Sequence, residues 1–177
     1  MSEGRGTTRP FEIVGAPFLD GWDLAQRLNQ EDLPGVYFRP IQFEPTFNKF
    51  AGQLCEGVFV HVTNRDAFRP VLTYTALLQT VIDQTGLHTL ATPLARDRFV
   101  AASEECALPG FAWKQPPYEY EHDRMPIDIL AGGPEYRLAI ERGAAWTEFL
   151  PSLDEALGFA AETEAARIYP RPQGITL

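Results

Sequence analysis

Cysteine and histidine are scarce in this chain of 177 residues, with two of the first and three of the second. Cys55 and Cys106 are too few for a disulfide framework. Neither they nor His61, His88 and His122 show the paired spacing of a zinc site. The sequence therefore offers no metal centre and calls for no cofactor, and its two thiols read as buried and unpaired. Basic residues are in deficit, 15 against 24 acidic ones for a net charge of −9. That balance argues against a nucleic-acid backbone or an anionic membrane surface as main partner, and suits a neutral or cationic ligand better. No apolar run is long enough for a membrane span. Met1 to Pro10 carries Gly, Arg and Thr where a signal peptide needs an apolar core, so the chain as it stands shows no export signal. A Walker loop, a nucleophile elbow and a complete dinucleotide fingerprint are also lacking, which leaves carboxylates to carry any chemistry.

What is present suffices for one substantial core: 45% of the residues are hydrophobic and twelve are phenylalanines. Residues 2–10 read as a polar, Gly-rich entry loop, and a free terminus of that kind frays unless something holds it. Phe11 to Val14 reads as a short strand closed by Gly15 and Pro17. A helix follows, with Asp20 at its cap, Trp22, Ala25 and Leu28 on one face, and Leu33-Pro34-Gly35 as its stop. Val36 to Phe43 is β-rich but contains Pro40, which removes a ladder donor and marks an edge strand or a bend. Over Glu56 to Thr63, Val58, Val60 and Val62 alternate with Gly57, Phe59 and His61, so the valines face inward and His61 the other way.

From Pro70 to Gly86, Val71, Tyr74, Leu77, Leu78, Val81 and Ile82 recur at helical spacing. Leu87 to Pro109 reads as an extended connection with a turn or two of helix between Arg96 and Glu105. Pro116 to Glu121 reads as extended because of its prolines. Gly133-Pro134 opens a short helix that Gly143 closes. Ser152 and Glu155 form a capping-box pattern for a last helix, with Leu153, Ala156, Leu157 and Ala160 on one face, that reaches Arg167. Short strands first and helices later predict a single compact α+β domain, a small mixed or antiparallel sheet packed with several helices.

Ser2-Glu3-Gly4-Arg5-Gly6-Thr7-Thr8-Arg9-Pro10-Phe11-Glu12, Gly15-Ala16-Pro17, Leu33 to Val36 and Phe43-Glu44-Pro45-Thr46-Phe47-Asn48-Lys49 follow one another in order. Gly52 to Cys55, Gly57-Val58, His61-Val62-Thr63, Pro116 to Glu121 and Ile127 to Gly132 continue the series. In these segments the chain resembles the C-terminal part of the NamZ/YbbC family of exo-β-N-acetylmuramidases, over nearly its whole length. The resemblance implies a peptidoglycan-derived saccharide ending in N-acetylmuramic acid as substrate. It also implies an N-terminal Rossmann-like domain, absent here, that holds most of the catalytic centre. Thr85 to Gly110 is longer than in typical relatives and reads as an insertion.

Glycosidic cleavage uses one carboxylic acid and a second carboxylate roughly 5 to 9.5 Å away. On the resemblance, Glu3, Glu12, Glu119, Glu121 and Asp128 are the candidates; each also reads as a solvated or capping acid. Gly4 and Gly6 around Arg5 permit positive φ and close backbone approach, so the loop through Thr7 can aim N–H groups and a guanidinium at the lactyl carboxylate. Arg5 paired to an internal acid is the alternative. Lys49 beside Phe47 and Phe50, His61, and Tyr118 complete the candidate saccharide contacts, against plain surface or packing roles. The function expected is therefore a saccharide-positioning part of a glycoside hydrolase; the alternative is a non-catalytic carbohydrate-binding or scaffold module.

Overall fold

The central strand of a three-stranded antiparallel sheet, β3 (Cys55–Val62), lies between β1 (Ile13–Ala16) and β2 (Val36–Phe43). The chain's structure, a computed structural model, describes residues 1–86, 110–149, 158–159 and 161–169. Two helices, α1 (Gly21–Gln30) and α2 (Pro70–Thr85), cover one face of the sheet; the short helices α3 (Pro126–Ala131) and α4 (Glu135–Glu141) follow. Val14, Phe38, Val58 and Val60 meet Leu24, Leu28, Leu77 and Val81 in one core. The arrangement is the expected α+β domain, and its sheet is antiparallel throughout.

β1 begins two residues later than the sequence suggests. Gly15, read as the end of the strand, is inside it and pairs with Gly57, where any Cβ would collide with the Val14 carbonyl. Phe11 stays outside in a left-handed turn, φ 67°, its N–H bonded to the Glu3 carbonyl at 2.7 Å. The amino end is held rather than frayed: Ser2 and Gly15 exchange N–H···O bonds of 2.7 and 3.0 Å.

α1 is capped as expected, with the Asp20 carboxylate accepting from the Trp22 and Asp23 N–H groups at 2.9 and 3.0 Å. Its buried stripe is Leu24, Ala25 and Leu28, and Trp22 is 76% exposed. Trp22 lies six residues before Leu28, about 120° around the helix from it, so the expected inward Trp22 is corrected. Pro40 does sit on an edge strand. Asn29 of α1 donates to the Phe38 carbonyl at 2.8 Å and accepts from the Phe38 N–H at 3.0 Å, so Phe38 turns its polar groups outward. Alternation along the strand turns position 40 the same way, where no ladder partner is needed. At the end of β3, Val62 pairs with Val36 beyond the cover of the helices and is exposed, unlike Val58 and Val60.

α2 has the expected span but buries more than one stripe. Leu77 and Val81 face the core, Tyr74, Leu78 and Ile82 are half-buried, and Val71 is exposed. Thr73, Thr75 and Thr80 are buried instead. A second layer accounts for Thr75, which shares a 2.8 Å bond with the Tyr136 hydroxyl of α4, and Gln79 beside it donates to the Ala144 carbonyl; Thr80 bonds back to the Ala76 carbonyl at 2.8 Å. Apolar spacing does not register such polar seams. The run from Pro116 to Glu121 is not extended throughout. Tyr118 and Glu121 exchange N–H···O bonds of 2.9 and 3.0 Å around a tight turn with Glu119 at φ 52°. Proline restrains itself and the residue before it, so nothing keeps 118–121 straight.

α4 closes at Gly143 as expected, whereas α3, six residues long, is too short for periodicity to reveal. Glu164–Ala166 is a 3-10 turn and Arg167 is extended, which ends the last described helical stretch before that residue. The expectations for 87–109, including the helical turns at 96–105 and the bulk of the 85–110 insertion, lie outside the described residues. So do Cys106, Ser152, Leu153, Glu155, Ala156, Leu157 and Ala160. Replacing Asn29 with alanine leaves both Phe38 backbone groups without their partner. Urea unfolding is expected to show a loss of about 2 kcal/mol with an unchanged m-value.

Candidate functional site

The amino-terminal loop turns back on itself at Gly4 and Gly6, whose φ values of 80° and 82° belong to the left-handed region. Thr7 bonds the Gly4 carbonyl through its N–H at 3.1 Å and its hydroxyl at 2.7 Å. The Gly6 carbonyl accepts from the Thr46 N–H and hydroxyl, both at 2.9 Å. Docking is close enough that a Cβ on Gly6 would lie 2.5 Å from the Phe47 carbonyl oxygen. The loop after β2 is thereby fixed beside the amino end, and Lys49 reaches Glu3 at 2.7 Å. Arg5 Nε lies 3.3 Å from the other oxygen of the same carboxylate. Burial pushes the Glu3 pKa up, but the bond and charge of Lys49, aided by Arg5, outweigh it and hold the carboxyl below its usual range. Arg5 and Lys49 stay about half exposed, at 55% and 49%.

A second feature is an open groove of about 650 Å³ beside β3, with Arg9, Glu12, Phe59, His61, Arg65 and Phe68 in its wall. The alternation along β3 places Phe59 and His61 together, and their rings stack at 4.2 Å and 22°. Arg39, opposite Phe59 on β2, has its guanidinium 5.5 Å from the Phe59 ring centroid and donates from Nε to His61 Nε2 at 3.3 Å. Arg9 stands 6.0 Å from the same centroid and 3.5 Å from Glu12.

The remaining candidates take their partners from within 114–141. Lys114 lies 5.1 Å from the Tyr118 ring centroid. Glu121 accepts from the backbone N–H groups of His122, Asp123 and Arg124 at 3.1, 3.0 and 3.4 Å, and pairs with Arg124 Nε at 2.8 Å. Those backbone donors, then Arg124, pull its pKa down to about 2. Asp128 on α3 holds Arg137 on α4 through two bonds of 2.8 and 3.0 Å. Arg137 also reaches Glu141 at 3.1 Å, and the Asp128 bonds first, then Glu141, raise the guanidinium's pKa further.

The structure thus unites Glu3, Arg5 and Lys49 on the scaffold of Gly4, Gly6 and Thr7, and sets Glu12 and His61 in the groove. Tyr118, Glu119, Glu121 and Asp128 belong to neither group. Sequence reasoning passed over Arg9, Arg39, Arg65 and Phe59. The parity of Phe59 with His61 was a usable signal, while the cross-strand approach of Arg39 depends on a register that no single segment reveals. Cys55 is free and buried, and burial pushes its thiol up to about 11, away from nucleophilic use. Among the described residues no three His, Cys, Asp or Glu side chains gather as a metal site would, and no helix is long and apolar enough to cross a membrane.

Fold and site together define a small α+β module that presents a carboxylate-bridged pair of cations where a glycine-rich loop meets the loop after β2. The chain belongs to the family described as the C-terminal part of the exo-β-N-acetylmuramidase NamZ, whose pattern matches residues 1–169. Over 83 residues it is 51% identical to the peptidoglycan β-N-acetylmuramidase NamZ of Bacillus subtilis (strain 168); the match takes in 47% of this chain and 20% of that protein. The crystal structure of a DUF1343 family protein from Bacteroides fragilis NCTC 9343 shares the fold. Its TM-score is 0.69 at 22% identity, and the match covers 96% of this chain and 38% of that one. The chain therefore spans well under half of either relative.

Glu121 offers a direct check on the electrostatics. Its folded pKa is depressed, so the turn's grip on the carboxylate is complete above the ordinary value of 4.5 and fades as pH falls through about 2. Carboxyl-carbon NMR should place its midpoint near 2, and Arg124→Ala should move that midpoint upward.

Proposed function

We propose that the chain is the saccharide-positioning module of an exo-acting β-N-acetylmuramidase, and that the Glu3-Arg5-Lys49 cluster receives the lactyl carboxylate of a terminal N-acetylmuramic acid. The observation that carries this reading is the shared carboxylate. One acid holds two cations, so the cluster keeps a net positive charge while both long side chains are ordered before a ligand arrives. Glu3 satisfies only the Nε edge of Arg5, and the guanidinium has further donors for a planar anion. Family membership supports the substrate class.

Cleavage of the terminal sugar needs an acid that is still protonated near neutral pH, which comes from a raised pKa. Glu3 and Glu121 are shifted the other way, and Asp128 is committed to Arg137. In this reading Glu3 is a positioning residue, and the proton donor comes from a Rossmann-like domain that precedes this module in the working enzyme. The second reading, a carbohydrate-binding module without turnover, is favoured by the same engagement of the carboxylates.

Calorimetric titration tests the positioning role. N-acetylmuramic acid should bind and N-acetylglucosamine, which lacks the lactyl group, should not; Arg5→Ala should weaken binding about tenfold or more. Equal binding of the two sugars, or an unaffected Arg5→Ala variant, would remove the basis of the proposal. Joined to an N-terminal domain, the module should release the sugar from a chromogenic muramoside; binding without release would leave the module reading.

A further inference from the structure

The groove beside β3 concentrates positive charge in a chain whose overall balance is −9. Arg9 and Arg65 in its wall come from the amino-terminal loop and the turn after β3, and Arg39 of β2 stands beside them, bonded to His61 of the wall. Glu12 is the carboxylate in the wall, and its contact with Arg9 is a long 3.5 Å. Among the described residues Arg39 and Arg65 have no carboxylate partner. An exposed cation with nothing to balance it is ordinary; two held against one ring are not. Arg39 and Arg9 both lie within 6.0 Å of the Phe59 centroid, and His61 fixes the Arg39 fork through its Nε. That bond leaves the Nη groups of Arg39 free to donate beside the Phe59 ring.

We propose that this groove is an anion site for a phosphoryl group, separate from the cluster around Glu3. Arg9 and Arg65 in the wall and Arg39 beside it stand against Glu12, the carboxylate of the wall, which leaves a local excess of two positive charges. A phosphate monoester brings a charge of about −1.5 to −2 and three acceptor oxygens, which matches both the charge and the several forks available. A carboxylate would satisfy one fork and leave the rest unpaired. The phosphoryl group has two candidate carriers, a phosphorylated amino sugar or a phosphate-linked wall polymer. The groove, open and about 650 Å³, admits either.

Backbone-amide NMR of the whole chain tests the site with inorganic phosphate, glucosamine 6-phosphate and poly(glycerol phosphate) as probes. Phosphate should shift the amides of residues 9–12 and 59–65 saturably, where chloride at equal ionic strength does not. Arg39→Ala and Arg65→Ala should each weaken binding about tenfold. Arg39→Lys, which keeps the charge and the strand position, should also weaken it because the planar fork is lost. Arg5→Ala should leave it unchanged, so this site and the muramoyl cluster stand or fall separately. Tighter binding of glucosamine 6-phosphate identifies a sugar monoester as carrier, and tighter binding of the polymer identifies the wall chain. Shifts reproduced by chloride would overturn the proposal. So would unaltered binding in folded Arg39→Lys and Arg65→Ala variants, or displacement of phosphate by N-acetylmuramic acid.

Discussion

Backbone meets backbone without an intervening side chain where Gly15, Gly21 and Gly57 come together, and the arrangement of the molecule follows from that contact. A Cβ on Gly21 would lie 2.7 Å from the Gly57 carbonyl oxygen, and one on Gly15 would lie 2.5 Å from that of Glu56. α1 therefore starts directly against the central strand, where Glu56 supplements Asp20 at the helix end by accepting from the Gly21 N–H at 3.4 Å. With β1 pressed close to β3, its outer edge is open to Ser2, and the Ser2–Gly15 bridge determines where the following loop can go. The cationic cluster is thus a consequence of sheet packing several residues away. Any side chain forced into this contact would move the loop as well as the helix.

Net charge described this protein poorly. An excess of acids spread over the surface coexists with two places where cations are gathered by different means. Around Glu3, a partly buried carboxylate draws Arg5 from its own loop and Lys49 from the loop after β2. Beside β3, the Phe59 ring stands near Arg9, which Glu12 pairs, and near Arg39, which bonds the His61 imidazole and has no carboxylate partner among the described residues. Total charge governs long-range behaviour and solubility, but a ligand responds to the potential within about a Debye length of its own site.

The elements legible in the sequence were those with an apolar pattern and a defined start or stop: the Asp20-capped helix, the edge strand that contains Pro40, the valine-alternating strand, and the helix begun by Pro70. Family motifs were legible for a different reason, since they persist as ordered strings whatever their structural cause. What escaped had its cause elsewhere in the molecule. The buried hydroxyl of Thr75 in α2 depends on Tyr136, more than fifty residues onward. Gly15 continues a strand because the facing residue is also glycine. Among the candidate acids, chemical type was easy to see but partner was not. Glu121 is occupied by its own turn and Asp128 by Arg137, and neither engagement shows in spacing alone.

The bond pair between Asn29 and Phe38 has a meaning beyond the strand it touches. Outward-facing amide and carbonyl groups on an outermost strand invite a foreign chain to extend the ladder, which is how folded proteins begin to aggregate or exchange segments. A helix side chain occupies that vacancy on β2, and two residues along a proline offers an intruder no donor at all. On the far side, Ser2 occupies part of the opposite edge. Among the described residues, both margins of the three-stranded sheet are thus partly taken by the chain itself.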